Sequence, residues 1–184
     1  MICRSLHGSA AAVILEFHYN KPQWRKEGTR MEAYRLEQVK LQDAELIAPL
    51  FNDYRVYYGQ QPDPAGALQF IQDRLKAEES VIFIAVADKD GSRKAGGFAQ
   101  LYPSFSSVTM QRLWVLNDLY VAEHLRGQAL GKLLLAGVRE YALSTGSKGL
   151  TLTTMTDNIR AQRLYESQGY VRDEEFYTYD LFFK

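Results

Sequence analysis

Cysteine is almost missing from this chain: Cys3 stands alone in 184 residues. A lone thiol excludes a disulfide framework and any zinc site built on paired cysteines. Histidine is scarce too, and His7, His18 and His124 show no metal-ligand spacing, so no metal is expected. Long apolar runs are missing. The longest, Ala10 to Leu15, ends at Glu16, far short of the roughly 20 residues that span a bilayer. It is also too short for a signal-peptide core, and no small-residue cleavage site follows it. No membrane partner is therefore expected, and the expected location is the cytoplasm. Net charge is missing as well: 22 basic residues balance 22 acidic ones. That balance argues against a nucleic-acid partner, which calls for a basic surface. There is no internal repeat, low-complexity segment or interdomain linker.

What remains is ordinary for a globular domain, with 46% apolar and 24% charged residues. One domain over residues 31–184 is the expectation. Residues 1–30 differ. Lys21 to Arg30 has no periodicity, and Lys26-Glu27-Gly28 can be encoded by a purine-rich string resembling a bacterial ribosome-binding site just ahead of Met31. The segment reads either as an untranslated leader or as a disordered or strand-swapping arm.

Alternation over Tyr34 to Val39 predicts a strand, and the apolar spacing of Leu41 to Tyr58 predicts a helix. A turn with Pro62 and Pro64 leads to a second helix over Gly66 to Glu78. Ser80 to Ala87 is a continuous apolar run, the mark of a central strand. Asp90-Gly91 marks a hairpin turn, and Ala95 to Tyr102 returns. Pro103 to Thr109 reads as a serine-rich loop. Met110 to Val121 is a long strand, Gln128 to Ser144 a helix capped by Gly146, Gly149 to Met155 a strand, Asn158 to Ser167 a short helix, and Tyr170 to Phe183 the last one or two strands.

Two constellations suggest chemistry. The first runs from Leu119-Tyr120-Val121 through Arg126-Gly127-Gln128-Ala129-Leu130-Gly131-Lys132: a strand, a tight basic turn, and a helix start. The first amides of a helix lack internal partners and its dipole is positive there, so this end holds anions, and Arg126 and Lys132 add full charges. In the second, Asn158 and Tyr165 lie two helical turns apart on one face, with Ala161 between them. Asn158 reads as a helix cap or as an amide facing a ligand, and Tyr165 as a core aromatic or as a phenol at the ligand's far end. A phosphate-loop reading fails because Leu133 follows Lys132. A dinucleotide-fold reading fails on glycine spacing.

In this order and spacing, the two constellations closely resemble the GNAT acetyltransferase superfamily. The resemblance implies a mixed α/β (α+β) fold with a mostly antiparallel central sheet and about four flanking helices. It implies acetyl-CoA as co-substrate and an N-acetyltransferase activity. The turn from Arg126 to Lys132 would hold the pyrophosphate. Leu119, Tyr120 and Val121 would pair with the pantetheine arm, and a backbone N–H near Leu119 would polarise the thioester carbonyl. Asn158 and Ala161 would line the pantetheine, and Tyr165 would be the general acid for the departing thiolate. Ala129 stands where the family pattern usually has glycine, and a negative φ is expected for it at a helix start.

The run Arg112 to Val121 looks most like the spermidine/spermine-type small-amine acetyltransferases, whose glutamate–aspartate pair becomes Asn117 and Asp118 here. Alternation would put Asn117 and Asp118 on opposite faces, with Asn117 toward the acceptor and Asp118 a structural partner. Asn117 cannot act as a base, so the proton acceptor is left without a residue. Tyr54, Tyr57 and Tyr58 would form a cation-binding wall with Tyr102 closing the other side, or the first three would simply pack a helix end. Trp114 reads as core or dimer interface. A homodimer is expected from the family, with the aromatic tail from Phe176 to Phe183 as an interface strand or an internal sheet partner. The acceptor would be a polyamine, a diamine or an amino acid. The alternatives are a non-catalytic acyl-CoA-binding module and a protein N-acetyltransferase. If residues 1–30 are a leader, the intact mass of protein made from the native gene will correspond to a start at Met31. A start at Met1 refutes the leader.

Overall fold

A computed structural model describes residues 34–183. The two readings of residues 1–30, and Cys3 with them, lie outside the described residues. The element order is β1 (Arg35–Gln38), α1 (Ala44–Tyr57), α2 (Pro64–Lys76), β2 (Val81–Lys89), β3 (Ser92–Ser106), β4 (Gln111–Val121), α3 (Leu130–Ser144), β5 (Leu150–Thr151) and α4 (Ile159–Ser167). The strands lie in one sheet in the order β1-β2-β3-β4-β5. The first four are antiparallel, and β5 runs parallel to β4. This is the mixed, mostly antiparallel sheet with four helices that the sequence implies.

The sheet is covered on both faces, which explains the unbroken apolar run of β2. Ile82 and Ile84 turn toward α1 and α2 and meet Ile47, Phe51 and Ile71. Phe83 and Ala85 turn the other way and meet Leu134, Leu135 and Val138 of α3. Trp114 belongs to this second layer. It is 4% exposed, and its Nε1 donates to Thr145 Oγ1 at 2.9 Å, so it is core.

Local chemistry sets the boundaries. Helix α2 starts two residues earlier than its apolar spacing indicates, because Pro64 suits the first helical position and Asp63 caps it. The Asp63 carboxylate accepts from Gly66 N at 2.9 Å. The β2–β3 turn is two residues, Asp90 and Gly91, both with positive φ (50° and 74°), the requirement of a type I′ hairpin.

Three expectations fail, each for a reason of pairing. The loop read from Pro103 to Thr109 is in part strand, since β3 continues to Ser106. Pairing with β2 stops at Leu101, so Pro103 sits where β3 has an open edge and needs no N–H on that side. The strand read over Gly149 to Met155 shrinks to Leu150 and Thr151, because only these two face β4. Tyr170 to Phe183 holds no strand. Phe176, Tyr177 and Tyr179 stand 78%, 88% and 89% exposed. β-Propensity measures fit to a paired, half-buried surface, and this segment has found no edge to pair with. Among the described residues, no helix is long and apolar enough to cross a membrane. Replacing Asp63 with alanine removes the α2 cap and is expected to lower unfolding stability by about 1 kcal/mol in a denaturant titration.

Candidate active site

Strand β4 is bonded to β3 along its whole length but to β5 only at Trp114 and Val115. Beyond Val115 the two parallel strands part. The parting opens a cleft of about 680 Å³ between the second half of β4, the start of α3 and the face of α4. Leu119, Tyr120, Val121, Arg126, Gly127, Ala129, Leu130, Gly131, Lys132, Asn158, Ala161 and Tyr165 line it, with Tyr54, Tyr57, Tyr58 and Asn117 on the other side. Of the residues singled out in the sequence, Gln128 and Tyr102 do not line it. Thr153, Thr154 and Arg160 do. They went unnoticed because nothing in their local pattern marks them; they reach the cleft only through the parting of β5 and the placement of α4.

The turn before α3 is built for close backbone approach. Gly127 has φ 88°, and a Cβ there would meet nothing within 4 Å. The helix begins at Leu130 rather than Gln128, and Ala129 caps it in the left-handed region with φ 62° and ψ 8°. The negative φ expected for Ala129 is therefore wrong. The turn needs αL here, which explains glycine in the family pattern, and alanine adopts it at a cost of about 1 kcal/mol. The amides of Leu130, Gly131 and Lys132 open the helix and have no carbonyl within it to bind. Arg126 is tied in place: its Nε donates to Val121 O at 3.2 Å, and its guanidinium lies over Tyr57 at 5.2 Å and Tyr120 at 5.8 Å. Amides, two cations and room beside Gly127 fit a pyrophosphate.

Asn158 is a true cap, its Oδ1 accepting from Ala161 N at 3.1 Å. It stands on the cleft wall as well. Tyr165 is held beside Tyr170, ring centroids 5.8 Å apart. Burial, with a smaller push from Tyr58, raises its phenol to about 12, so it keeps its proton at neutral pH.

The tyrosine wall is real packing that also faces the cleft. Tyr54 makes an edge contact to Tyr58 at 5.0 Å and to Phe98 at 5.8 Å. Next to it the sheet carries a bulge. Gln100 pairs with Asp118 and Leu101 with Leu116, which leaves Asn117 unpaired. The bulge interrupts alternation and turns Asn117 and Asp118 to the same side, where Asn117 Nδ2 donates to Asp118 Oδ1 at 3.1 Å. The expectation of opposite faces is thus overturned. Asn117 is exposed in the cleft, and Asp118 lies behind it, 4% exposed. Desolvation raises the Asp118 pKa, while the Tyr54 hydroxyl and Asn117 act against the rise. Tyr102 lies outside the cleft, its phenol pushed up to about 12 by burial and then by the Asp118 charge. Among the described residues, no three histidine, cysteine or acidic side chains are grouped to hold a metal.

The family model described as Acetyltransferase (GNAT) family matches residues 47–170. An uncharacterized N-acetyltransferase of Bacillus subtilis is 47% identical over 146 residues, covering 79% of this chain and 95% of that protein. The crystal structure of a probable acetyltransferase aligns with a TM-score of 0.76 at 41% identity, covering 82% of this chain and 98% of the other. A shorter match, 34% identical over 73 residues, covers 40% of this chain and 42% of a thialysine N-epsilon-acetyltransferase of Bos taurus.

Replacing Ala129 with glycine relieves the left-handed strain. It is expected to raise stability by about 1 kcal/mol, read as a higher denaturation midpoint at unchanged slope. A lower midpoint would contradict the strain.

Proposed function

We propose that this chain, which belongs to the GNAT acetyltransferase family and is an acyltransferase, moves an acetyl group from acetyl-CoA to a primary amine on a small molecule by direct attack. The observation that carries this reading is the parting of β4 from β5 directly in front of the α3 N-terminus. An open strand edge, an anion-binding helix end and a protonated phenol share one cleft. The amides of the Gly127–Lys132 turn, with Lys132 and Arg126, would hold the pyrophosphate. The free edge of β4 from Leu119 to Val121 would accept an extended amide chain as a further strand. A backbone N–H near Leu119 would hold the thioester oxygen as charge develops. Asn158 and Ala161 would flank the chain on the α4 side.

Tyr165 would donate to the sulfur as the C–S bond breaks. An ordinary thiol has a pKa near 8.5, so a phenol at about 12 gives up its proton only to a thiolate that is itself desolvated. The partly buried surroundings of Tyr165 favour that condition. Its larger contribution is the hydrogen bond that stabilises the departing charge.

The acceptor class that fits best is a terminal alkylamine: a diamine, a polyamine, or an amino acid through its side-chain amine. The wall of Tyr54, Tyr57 and Tyr58 supplies π faces for a cation. The partial match to a thialysine N-epsilon-acetyltransferase supports the same chemistry. The exposed aromatic tail, with Phe182 and Phe183 86% and 89% exposed, supports a homodimer in which the tail is covered.

Thiol release from acetyl-CoA across polyamines, diamines, amino acids and aminoglycosides is expected to show turnover with terminal amines first. Tyr165→Phe is expected to lower kcat about 100-fold with little change in acetyl-CoA affinity. An unchanged kcat would remove Tyr165 from the acid role. Silence with every amine, while acetyl-CoA still binds, would favour a non-catalytic acyl-CoA module.

A further inference from the structure

An alkylammonium, with a pKa near 10.4, must lose a proton before it can attack. Asn117, the cleft residue at the bulge, cannot take it. We propose that Tyr54 and Asp118 do so together, with Tyr54 touching the amine and Asp118 behind it as the positioning residue that receives the proton. This rests on the transferase reading above.

Three observations place the pair there. First, Asp118 is 4% exposed, and among the described residues no arginine or lysine forms an ion pair with it. Its partners are Asn117 and the Tyr54 hydroxyl. Buried carboxylates are ordinarily matched by a cation, and here the two groups that stand between the carboxylate and the cleft are Asn117 and Tyr54, both of which line it. Second, Gln100 stands directly across the β3–β4 ladder from Asp118, on the same face. It is fully buried, and both of its amide atoms lack a partner. A buried amide without partners, opposite a buried carboxylate without a cation, marks a polar pocket within an otherwise apolar layer. Third, Tyr54 spans the two environments. It lines the cleft, and its ring packs edge-on against Phe98 at 5.8 Å and Tyr120 at 6.0 Å, the residues two along from Gln100 and Asp118 on the same face, which brings its hydroxyl to the Asp118 carboxylate. It shares the cleft with Tyr165, so the base and acid sides meet there.

The proton balance is simple. An ammonium N–H proton passes to Tyr54 Oη as the Tyr54 proton passes to an Asp118 carboxylate oxygen. The ammonium becomes an amine, the carboxylate a neutral acid, and the tyrosine is unchanged. Cation and anion vanish together, which a poorly hydrated site favours. The surroundings do not compete for the proton: Tyr58 from α1 and Tyr102 from β3 are phenols held above their ordinary range by burial. Arg74 and Glu79 lie farther out, acting on Tyr102. Burial also makes Asp118 a stronger base than a solvated aspartate. The same buried anion disfavours an amine with a carboxylate on the adjacent carbon, so terminal amines are selected over α-amino groups.

The test uses the full chain, with spermidine and thialysine as probes, in wild type, Asp118→Asn and Tyr54→Phe. Both variants are expected to lose about 100-fold in kcat while acetyl-CoA affinity stays within about threefold. The acid limb of the wild-type pH profile is expected to shift or disappear in Asp118→Asn. Calorimetry on protein saturated with a non-transferring thioether analogue of acetyl-CoA gives a readout without turnover. There, spermidine is expected to bind at least about tenfold more weakly to Asp118→Asn, the loss of one buried charge partner. Tyr54→Phe keeps ring and carboxylate in place, so it decides the matter if Asp118→Asn does not fold. Active wild type with both folded variants unchanged in kcat and pH profile overturns the proton route alone. Wild type inactive on every amine overturns the transferase reading, and this inference with it.

Discussion

Strand β4 is held firmly along one edge and only briefly along the other. Its ladder to β3 runs from Gln111 to Val121, while β5 engages it at Trp114 and Val115 and then departs. The cleft depends on this asymmetry. A β4 paired on both sides would leave no edge for an extended substrate and no passage to the α3 N-terminus. The cost of an open edge is met by the layers around it. Trp114, Leu116, Leu134 and Val138 pack the α3 face, and Phe51, Ile71 and Phe98 pack the other, so the exposed half of β4 is supported from both faces even though one edge is bare.

The bulge at Asn117 is the second constraint and sits where the strands part. One extra residue changes which side chains face α1 and α2. Leu116 and Leu119 both stay with the α3 core, while Asn117 and Asp118 turn to the other face beside Tyr54. A carboxylate is thereby buried among aromatic rings. Such a group lowers stability unless it is well solvated by protein or matched by a cation. Its presence in an otherwise apolar layer is what functional sites look like when local rules are broken there and offset elsewhere. Ala129 is a smaller instance, a left-handed alanine at the mouth of the same cleft.

The basic, glycine-containing turn before α3, the Asn158–Tyr165 face, the central place of β2 and the Asp90–Gly91 hairpin were all legible in the sequence. Each is carried by residues close together in the chain: glycine and cations before a helix, a seven-residue spacing on a helix, an apolar run bounded by turns. Such signals report local geometry directly. The family resemblance was legible for the same reason, because its two motifs are local and ordered.

What the chain could not reveal depends on partners far apart in sequence. Pro103 is tolerated because pairing of β3 with β2 has already ended; β5 is short because β4 leaves it; the tail from Tyr170 is unpaired although its residues favour strands. The face taken by Asp118 followed from a register shift opposite Gln100, and alternation along one strand carries no trace of a shift imposed by its neighbour. The sequence alone was enough for the helices, the central strands and the basic, glycine-containing turn before α3, because propensity, capping and charge act within a few residues. The width of the cleft and the company of Asp118 were left to the tertiary structure, because those are set by which strand edges meet and where they stop.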